Sequence, residues 1–237
     1  MAKGIIKRYF TGTSSKKQHA LLLILALVIL ASFWITAQLL FEGQYSPLNN
    51  TISNQGRTDY NPRGFIFFTL GCTISGLLLI LHFIYLYRNY YPTLKLILQI
   101  SFAAGLVGSF AFIFIGFVPG DINKPLHSFF ARLAFGAFYV SAFALLAVMV
   151  RKIQLKEAWP SIKQVGIVYA IFGIILLLVI IVPELDALAT VLNVDERLFD
   201  WPIWQWTAFF NIIIWLINVY LIIPARKNQS EPKSEES

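Results

Sequence analysis

Asp121, His127 and Arg132 are the residues whose types and spacing point most clearly to chemistry. A histidine that follows shortly after an aspartate can act as an acid, a base or a ligand, so Asp121 and His127 are candidate catalytic residues of a hydrolytic site. The alternative is that His127 is only a polar residue at the start of a helix. The spacing of the pair matches no recognised metal-binding motif, and we predict no metal site.

Arg132 falls just inside an apolar stretch and shares one helix face with Ser128 and Gly136. A guanidinium is costly in hydrocarbon, so this side chain should face protein or extend to the membrane interface. One interpretation is a ligand for phosphate or carboxylate. The other is a structural anchor or an ion pair with an acid of an outer loop. Gly136 would let a partner helix approach closely.

Six apolar stretches must position these residues. Each has close to the roughly 20 residues needed to cross the membrane, where the backbone must be helical because it has no water to bond. They run His19–Phe41, Gly64–Tyr87, Leu96–Val118, Ser128–Val150, Val165–Val182 and Ile203–Ile223. Charged residues are only 13% of the chain, about half the share of a soluble domain. The sequence therefore predicts an all-α, polytopic membrane protein, a six-transmembrane-helix bundle.

The distribution of basic residues predicts the orientation. Lys and Arg precede the first stretch, occupy the second and fourth loops and follow the sixth stretch, whereas the other loops carry most of the acids. Because basic loops stay on the inner side, we expect a multi-pass protein of the cell membrane with both termini in the cytoplasm. The net charge of +7 then reflects orientation and attraction to lipid headgroups, and we predict no nucleic-acid partner.

The predicted organisation has three parts. Residues 1–18 form a basic cytoplasmic segment, residues 19–225 a membrane domain, and residues 226–237 a polar, disordered cytoplasmic tail. The first outer loop, Glu42–Arg63, is long and rich in turn formers, and we expect a partly ordered cap over the bundle. In the third outer loop, Leu185–Leu192 has apolar residues at helical spacing and could form a short interfacial helix.

Polar and small residues within the stretches suggest packing rather than catalysis. His82, Gln99, Asn211 and Asn218 are expected to form interhelical hydrogen bonds, and Gly71, Gly76, Gly105 and Gly136 to allow close helix packing. No acid lies in the middle of a stretch, which argues against a proton-coupled transporter. The chain also lacks the HExxH, GxSxG, P-loop and CxxC motifs, so we predict no cofactor.

Three segments carry a resemblance to a known family: SPLNNTISNQGRTDYNPRGFIFF, IGFVPGDINKPLHSFFARLAFGAFY and the pair Glu196–Arg197. The first contains an Ile-Ser-x-x-Gly element with a following proline, and the second a Gly-Phe and Pro followed by His127. The chain resembles the six-span family called domain of unknown function 998. It is also similar to a related group that includes the damage-regulated autophagy modulators and proteins of GPI-lipid remodelling. Those families have an acid where this chain has Asn54.

The resemblance implies that these motifs meet at the outer face of a six-helix bundle, where the residue analysis also places Arg132. The candidate ligand-binding residues are Ser53, Asn54, Arg63, Arg132, Glu196 and Arg197. A pocket that is polar above and apolar below would suit an amphiphile. The leading hypothesis is a protein that binds or helps process membrane lipids. The alternatives are a membrane-embedded lipid hydrolase using His127 and Asp121, and a structural or regulatory subunit with other membrane proteins as partners.

Overall fold

The computed structural model describes residues 2–91, 93–155, 162–181 and 201–222, and regular structure within these ranges is entirely helical. The elements are α1 Ala2–Thr11, α2 Lys16–Leu39, a 3₁₀ turn Ile52–Gly56, α3 Phe65–Tyr90, α4 Lys95–Phe117, α5 Lys124–Gln154, α6 Ile162–Ile181 and α7 Trp201–Ile222. The predicted all-α class is confirmed. Leu185–Leu192 and residues 226–237 lie outside the described ranges.

Helices occupy all six predicted apolar stretches. By length and composition, α2, α3, α4, α5 and the part of α7 from Pro202 to Tyr220 are suited to cross a membrane. The apolar part of α6, Gln164–Val179, is shorter. The described chain is thus a helical bundle of the kind that polytopic membrane proteins form, while the count of six spans stays a prediction.

Local capping residues determine where two of these helices begin. Before α2, the Ser15 hydroxyl accepts a hydrogen bond from the Gln18 amide at 3.2 Å, and the Gln18 side chain accepts one from the Ser15 amide at 3.1 Å. Before α5, the Asn123 side chain accepts from the Leu126 amide at 3.1 Å. Because of this cap, α5 begins earlier than the predicted Ser128, and its first two turns include His127.

Helices α2 to α5 pack each against the next in chain order, while α6 packs on α7 and both contact α5. Small residues allow these helices to pack closely, as predicted. A Cβ atom at Gly105 would lie 2.2 Å from the ring of Phe83, and one at Gly76 would lie 2.5 Å from Ile113. The same prediction is wrong for Gly136 within the described part of the chain, where a Cβ atom would meet nothing within 4 Å. That position of α5 borders a groove instead of a packed helix.

Two of the four predicted interhelical hydrogen bonds are present. His82 Nδ1 lies 3.1 Å from His19 Nε2, which joins α3 to α2. The Asn211 amide donates to the Phe172 carbonyl at 3.1 Å, which joins α7 to α6. Asn218 instead donates to Ile214 of its own helix at 2.9 Å, and Gln99 is exposed. Asn218 is partly exposed, and among the described residues no interhelical hydrogen bond is found for it or for Gln99.

The loop between α2 and α3 is ordered, as expected, and residues 42–63 are called the cap below. Its Asn61 is fully buried and donates to the carbonyls of Ala37 at 2.9 Å and Gln55 at 2.8 Å. The Ile52 amide donates to the side chain of Gln205 at 2.8 Å. These bonds fasten the cap to α2 and α7 and fix the position of the 3₁₀ turn.

Candidate ligand-binding site

An open cavity of about 440 Å³ lies between the cap, the α4–α5 connection and the first turns of α5 and α7. It is called the outer cavity below. Its lining is polar and basic, and the polar side chains that contribute are Thr51, Ser53, Asn54, Arg57, Lys124, His127, Ser128, Arg132 and Gln205. Among the described residues, no carboxylate lines it. The excess of positive charge favours an anionic ligand.

Arg57 is held at the rim by the neighbouring residues of the cap. Its Nε donates to Asp59 at 2.8 Å, its second nitrogen bonds the other carboxylate oxygen, and its guanidinium lies 4.1 Å from the centre of the Tyr60 ring. The hydrogen bond from Arg57 lowers the pKa of the Asp59 carboxyl. Such a bidentate pair orients the guanidinium and leaves its remaining N–H groups for another acceptor.

Asp121 supports the cap and does not line the outer cavity. Its carboxylate accepts hydrogen bonds from the Thr58 amide at 3.1 Å, from the Asp59 amide at 3.2 Å, and from the Thr58 hydroxyl. Burial alone would raise the pKa of Asp121, but these hydrogen bonds outweigh burial and lower it. The side chain therefore ties the α4–α5 connection to the cap as a stable carboxylate.

His127 borders the outer cavity and is only 7% exposed. Its Nδ1 lies 2.6 Å from the carbonyl oxygen of Val118. Nε2 is buried and has no hydrogen-bond partner among the residues that the structure describes. Asp121 and His127 thus bond to different groups, and the structure does not join them in a dyad of the kind that orients a catalytic histidine.

Arg132 is exposed and borders two cavities. Its Nε donates to the Ser128 carbonyl of the preceding turn at 3.3 Å. Among the described residues, no acid lies within ion-pair distance of it. Within the described part of the chain the guanidinium of Arg132 is therefore placed to bind a ligand, while an ion pair with an acid of residues 182–200 lies outside the described residues.

The 3₁₀ turn contributes hydroxyl and amide groups. The Thr51 hydroxyl donates to the Asn54 side chain at 2.9 Å, so Ser53 is the donor in its 3.1 Å contact with Thr51. The amide nitrogen of Asn54 donates to Asn50 at 3.2 Å. These bonds leave the oxygen of Ser53 as an acceptor and keep the turn rigid beside His127.

Gln205 is a site residue that the sequence analysis missed. It is 8% exposed, contacts the cap through Ile52 and lines the outer cavity although it belongs to the first turn of α7. A glutamine near the start of an apolar stretch is a weak signal, because such residues are usually interfacial. The contact spans 153 residues of chain, and no local pattern indicates it.

An apolar groove continues from the outer cavity along α5. Its volume is about 240 Å³, and Phe135, Gly136, Tyr139, Leu176, Val179 and Ala208 line it. Ala131, Arg132 and Gln205 line both spaces. The absence of a side chain at Gly136 leaves this part of α5 open. The two spaces together are polar at one end and apolar at the other.

The structure brings four of the predicted site residues together: Ser53, Asn54, His127 and Arg132. Arg63 is exposed and borders none of the described cavities. Glu196 and Arg197 lie outside the described residues. Arg57 and Lys124, like Gln205, were not predicted. In the described part of the chain, no cluster of three or more His, Cys, Asp or Glu side chains could hold a metal ion.

Comparison with known proteins places the chain in a family. No match was found among curated proteins or among solved structures. A family model matches residues 24–221, which include most of α2 and continue to the last turn of α7. The chain therefore belongs to the family described as protein of unknown function (DUF998).

Proposed function

We propose that this protein is a multi-pass membrane protein that binds a lipid with an anionic headgroup at its outer end. The observation that carries the proposal is the continuity of two spaces. The basic outer cavity and the apolar groove share Ala131, Arg132 and Gln205. A headgroup in the cavity would leave a hydrocarbon chain in the groove, which matches the two chemistries of an amphiphile.

The charges support an anionic headgroup. Arg57, Lys124 and Arg132 line the cavity, and the first turn of α5 adds the positive end of a helix dipole. Arg57 is already positioned by Asp59, so less side-chain entropy is lost when it binds a ligand. A zwitterionic headgroup would gain less, because its cationic part would meet the same basic rim.

A membrane-embedded hydrolase is the second candidate. The unpartnered Nε2 of His127 favours it, because a buried imidazole with a free nitrogen can accept a proton. Asp121, the expected partner, instead supports the cap. The third candidate, a structural or regulatory subunit, needs no open cavity. Binding of a lipid is therefore the function that the arrangement supports best.

The proposal includes six spans, a cell-membrane location and cytoplasmic termini. The outer cavity then lies on the side of the membrane opposite the cytoplasm. It also includes kinship with the damage-regulated autophagy modulators and the GPI-lipid remodelling proteins.

The orientation can be tested with single cysteines at the exposed residues Thr13 and Asn49. An impermeant thiol reagent added to intact cells should label Asn49→Cys and not Thr13→Cys. Labelling of Thr13→Cys alone would reverse the orientation.

The binding function can be tested with two arginine variants. Purified protein exchanged against an equal mixture of phosphatidylglycerol and phosphatidylcholine should retain phosphatidylglycerol in excess, as measured by mass spectrometry. Arg132→Leu should reduce that excess several-fold, and Arg132→Lys should reduce it less because it keeps the charge. Arg63→Leu is the matched control. It also replaces an arginine with leucine, but Arg63 belongs to the cap and does not line the cavity.

Salt gives the same test a second readout. An arginine–phosphate contact should weaken as salt rises from about 0.1 M to about 1 M, because the Debye length shortens from ~10 Å to ~3 Å. Equal lipid retention by wild type, Arg132→Leu and Arg63→Leu at every salt concentration would refute the proposal and leave the structural subunit as the better account.

A further inference from the structure

The hydrogen bond between His127 and Val118 determines whether the other ring nitrogen, Nε2, donates or accepts a hydrogen bond. A carbonyl oxygen only accepts hydrogen bonds, so Nδ1 of His127 must be the donor across the 2.6 Å contact. In the neutral ring, Nε2 then carries the lone pair and can only accept. This atom is buried and has no hydrogen-bond partner in the described ranges of the chain, although the ring borders the outer cavity.

A buried acceptor without a partner is destabilising, and a ligand that donates to it removes that penalty. His127 borders the outer cavity, where the rest of the described lining favours negative charge, and a second cavity of about 30 Å³ that is lined mostly by apolar side chains and is too small for a headgroup. Gly120 leaves room beside the His127 ring. A Cβ atom there would lie 3.6 Å from the His127 ring and 4.0 Å from Arg57, so the missing side chain keeps the space between these two groups free.

We propose that the ligand is a phosphodiester lipid whose headgroup carries a hydroxyl, as in glycerol or inositol headgroups. Its phosphate contacts Arg57, Lys124 and Arg132, and its hydroxyl donates to Nε2 of His127. An ammonium group could also donate, but it would be placed among three cationic side chains. This inference rests on the proposed lipid-binding function and adds the chemical identity of the headgroup.

The same headgroup chemistry exists in a soluble form, glycerol phosphate. The groove favours the lipid, because its walls offer no polar group to a soluble ligand below Arg132 and Gln205 other than Tyr139. Tyr139 itself accepts a hydrogen bond from Asn211 at 3.2 Å, which joins α5 to α7. A ligand without a hydrocarbon chain would leave this apolar space unused.

The test compares two lipids that differ only in the donor. Phosphatidylglycerol and phosphatidylmethanol have the same charge and can carry the same acyl chains, but only the former has headgroup hydroxyls. Full-length protein in detergent should bind phosphatidylglycerol about tenfold more tightly, as measured by native mass spectrometry, because one buried hydrogen bond is gained. Glycerol phosphate at the same concentration should not compete.

Two variants of His127 test the roles of Nδ1 and Nε2 separately. Asparagine places an N–H near the position of Nδ1 and nothing at Nε2, so His127→Asn should abolish the preference for phosphatidylglycerol. Glutamine reaches the position of Nε2 with an acceptor oxygen, so His127→Gln should restore most of it. Thermal unfolding of both variants shows whether they are folded, and the comparison of the two lipids within each variant does not depend on their stability.

The outcomes distinguish this inference from the proposed function. Equal binding of the two anionic lipids by wild type, with phosphatidylcholine still excluded, would overturn the role of His127 and leave lipid binding intact. Equal binding of all three lipids would overturn both. Effective competition by glycerol phosphate would overturn the assignment to a lipid. A tenfold preference that His127→Asn removes and His127→Gln restores would support it.

Discussion

Histidines are buried at both ends of the bundle, but their surroundings differ. Near α1, His19 and His82 are fully buried, share one 3.1 Å contact, and are covered by Tyr85, whose ring stacks 3.8 Å from that of His19. At the other end, His127 borders an open cavity with three basic side chains. These two regions are called the histidine pair and the outer cavity.

The difference shows that a buried polar side chain does not by itself make a binding site. In the part of the chain that the structure describes, His19 Nδ1 and His82 Nε2 have no hydrogen-bond partner, as is true of His127 Nε2. Aromatic rings surround the pair, however, and Phe83 lies 5.1 Å from His82 in an edge-on arrangement. Of the three histidines, His127 is the one that, within the described residues, borders an open cavity with basic side chains, which is why the proposed ligand is placed there.

The largest expected effect comes from filling space beside the histidine pair. Gly105→Ala places a Cβ atom 2.2 Å from Phe83, the neighbour of His82, and should lower the free energy of unfolding by about 1–3 kcal/mol. Gly136→Ala is the matched control, because its Cβ atom meets nothing within 4 Å. Thermal unfolding in detergent measures both. Similar destabilisation by the two variants would mean that the groove is not open.

The next expected effect is a contrast between two histidine variants, one that lowers the stability of the protein and one that lowers lipid binding. His82→Leu removes the partner of His19 Nε2 and should lower the free energy of unfolding by roughly 1 kcal/mol without changing the lipid content. His127→Leu should reduce bound phosphatidylglycerol. Mass spectrometry and thermal unfolding of both variants test this contrast. If His82→Leu removes as much lipid as His127→Leu, the two regions are not functionally distinct.

The smallest expected effect is a loss of stability of the cap at low pH. The pKa of Asp59 and of Asp121 is lowered in the folded protein, so their stabilisation is complete above the ordinary carboxyl pKa and is lost as pH falls through the lowered values. Below about pH 4, amides of the cap should exchange hydrogen faster, relative to intrinsic rates, while those around His82 stay protected. Asp121→Asn should reduce this difference. Equal loss of protection in both regions would contradict it.

The sequence predicts the helices well because the membrane leaves the backbone no alternative. Apolar length alone located all six stretches, with ends shifted by capping residues such as Asn123. Turn formers and a few apolar residues correctly indicated an ordered cap. These features depend on local composition, which is directly visible in the chain.

The site was predicted only in part, because it depends on how the helices are rotated and which chain segments meet. Gly136 was expected to pack against a helix, but it borders the groove. Asp121 has the right residue type for chemistry, yet its oxygens bond to the cap. Gln205 joins the site through a contact with Ile52, far away in sequence. No spacing rule relates such distant positions.

We propose that one lipid occupies both the outer cavity and the groove. A structure determined in nanodiscs containing phosphatidylglycerol tests it most directly. We expect density for a headgroup between Arg57, Lys124 and Arg132, continuous with an acyl chain that passes Gly136 between α5 and α7. An outer cavity filled by protein side chains, or ordered lipid found only elsewhere on the bundle, would contradict the account.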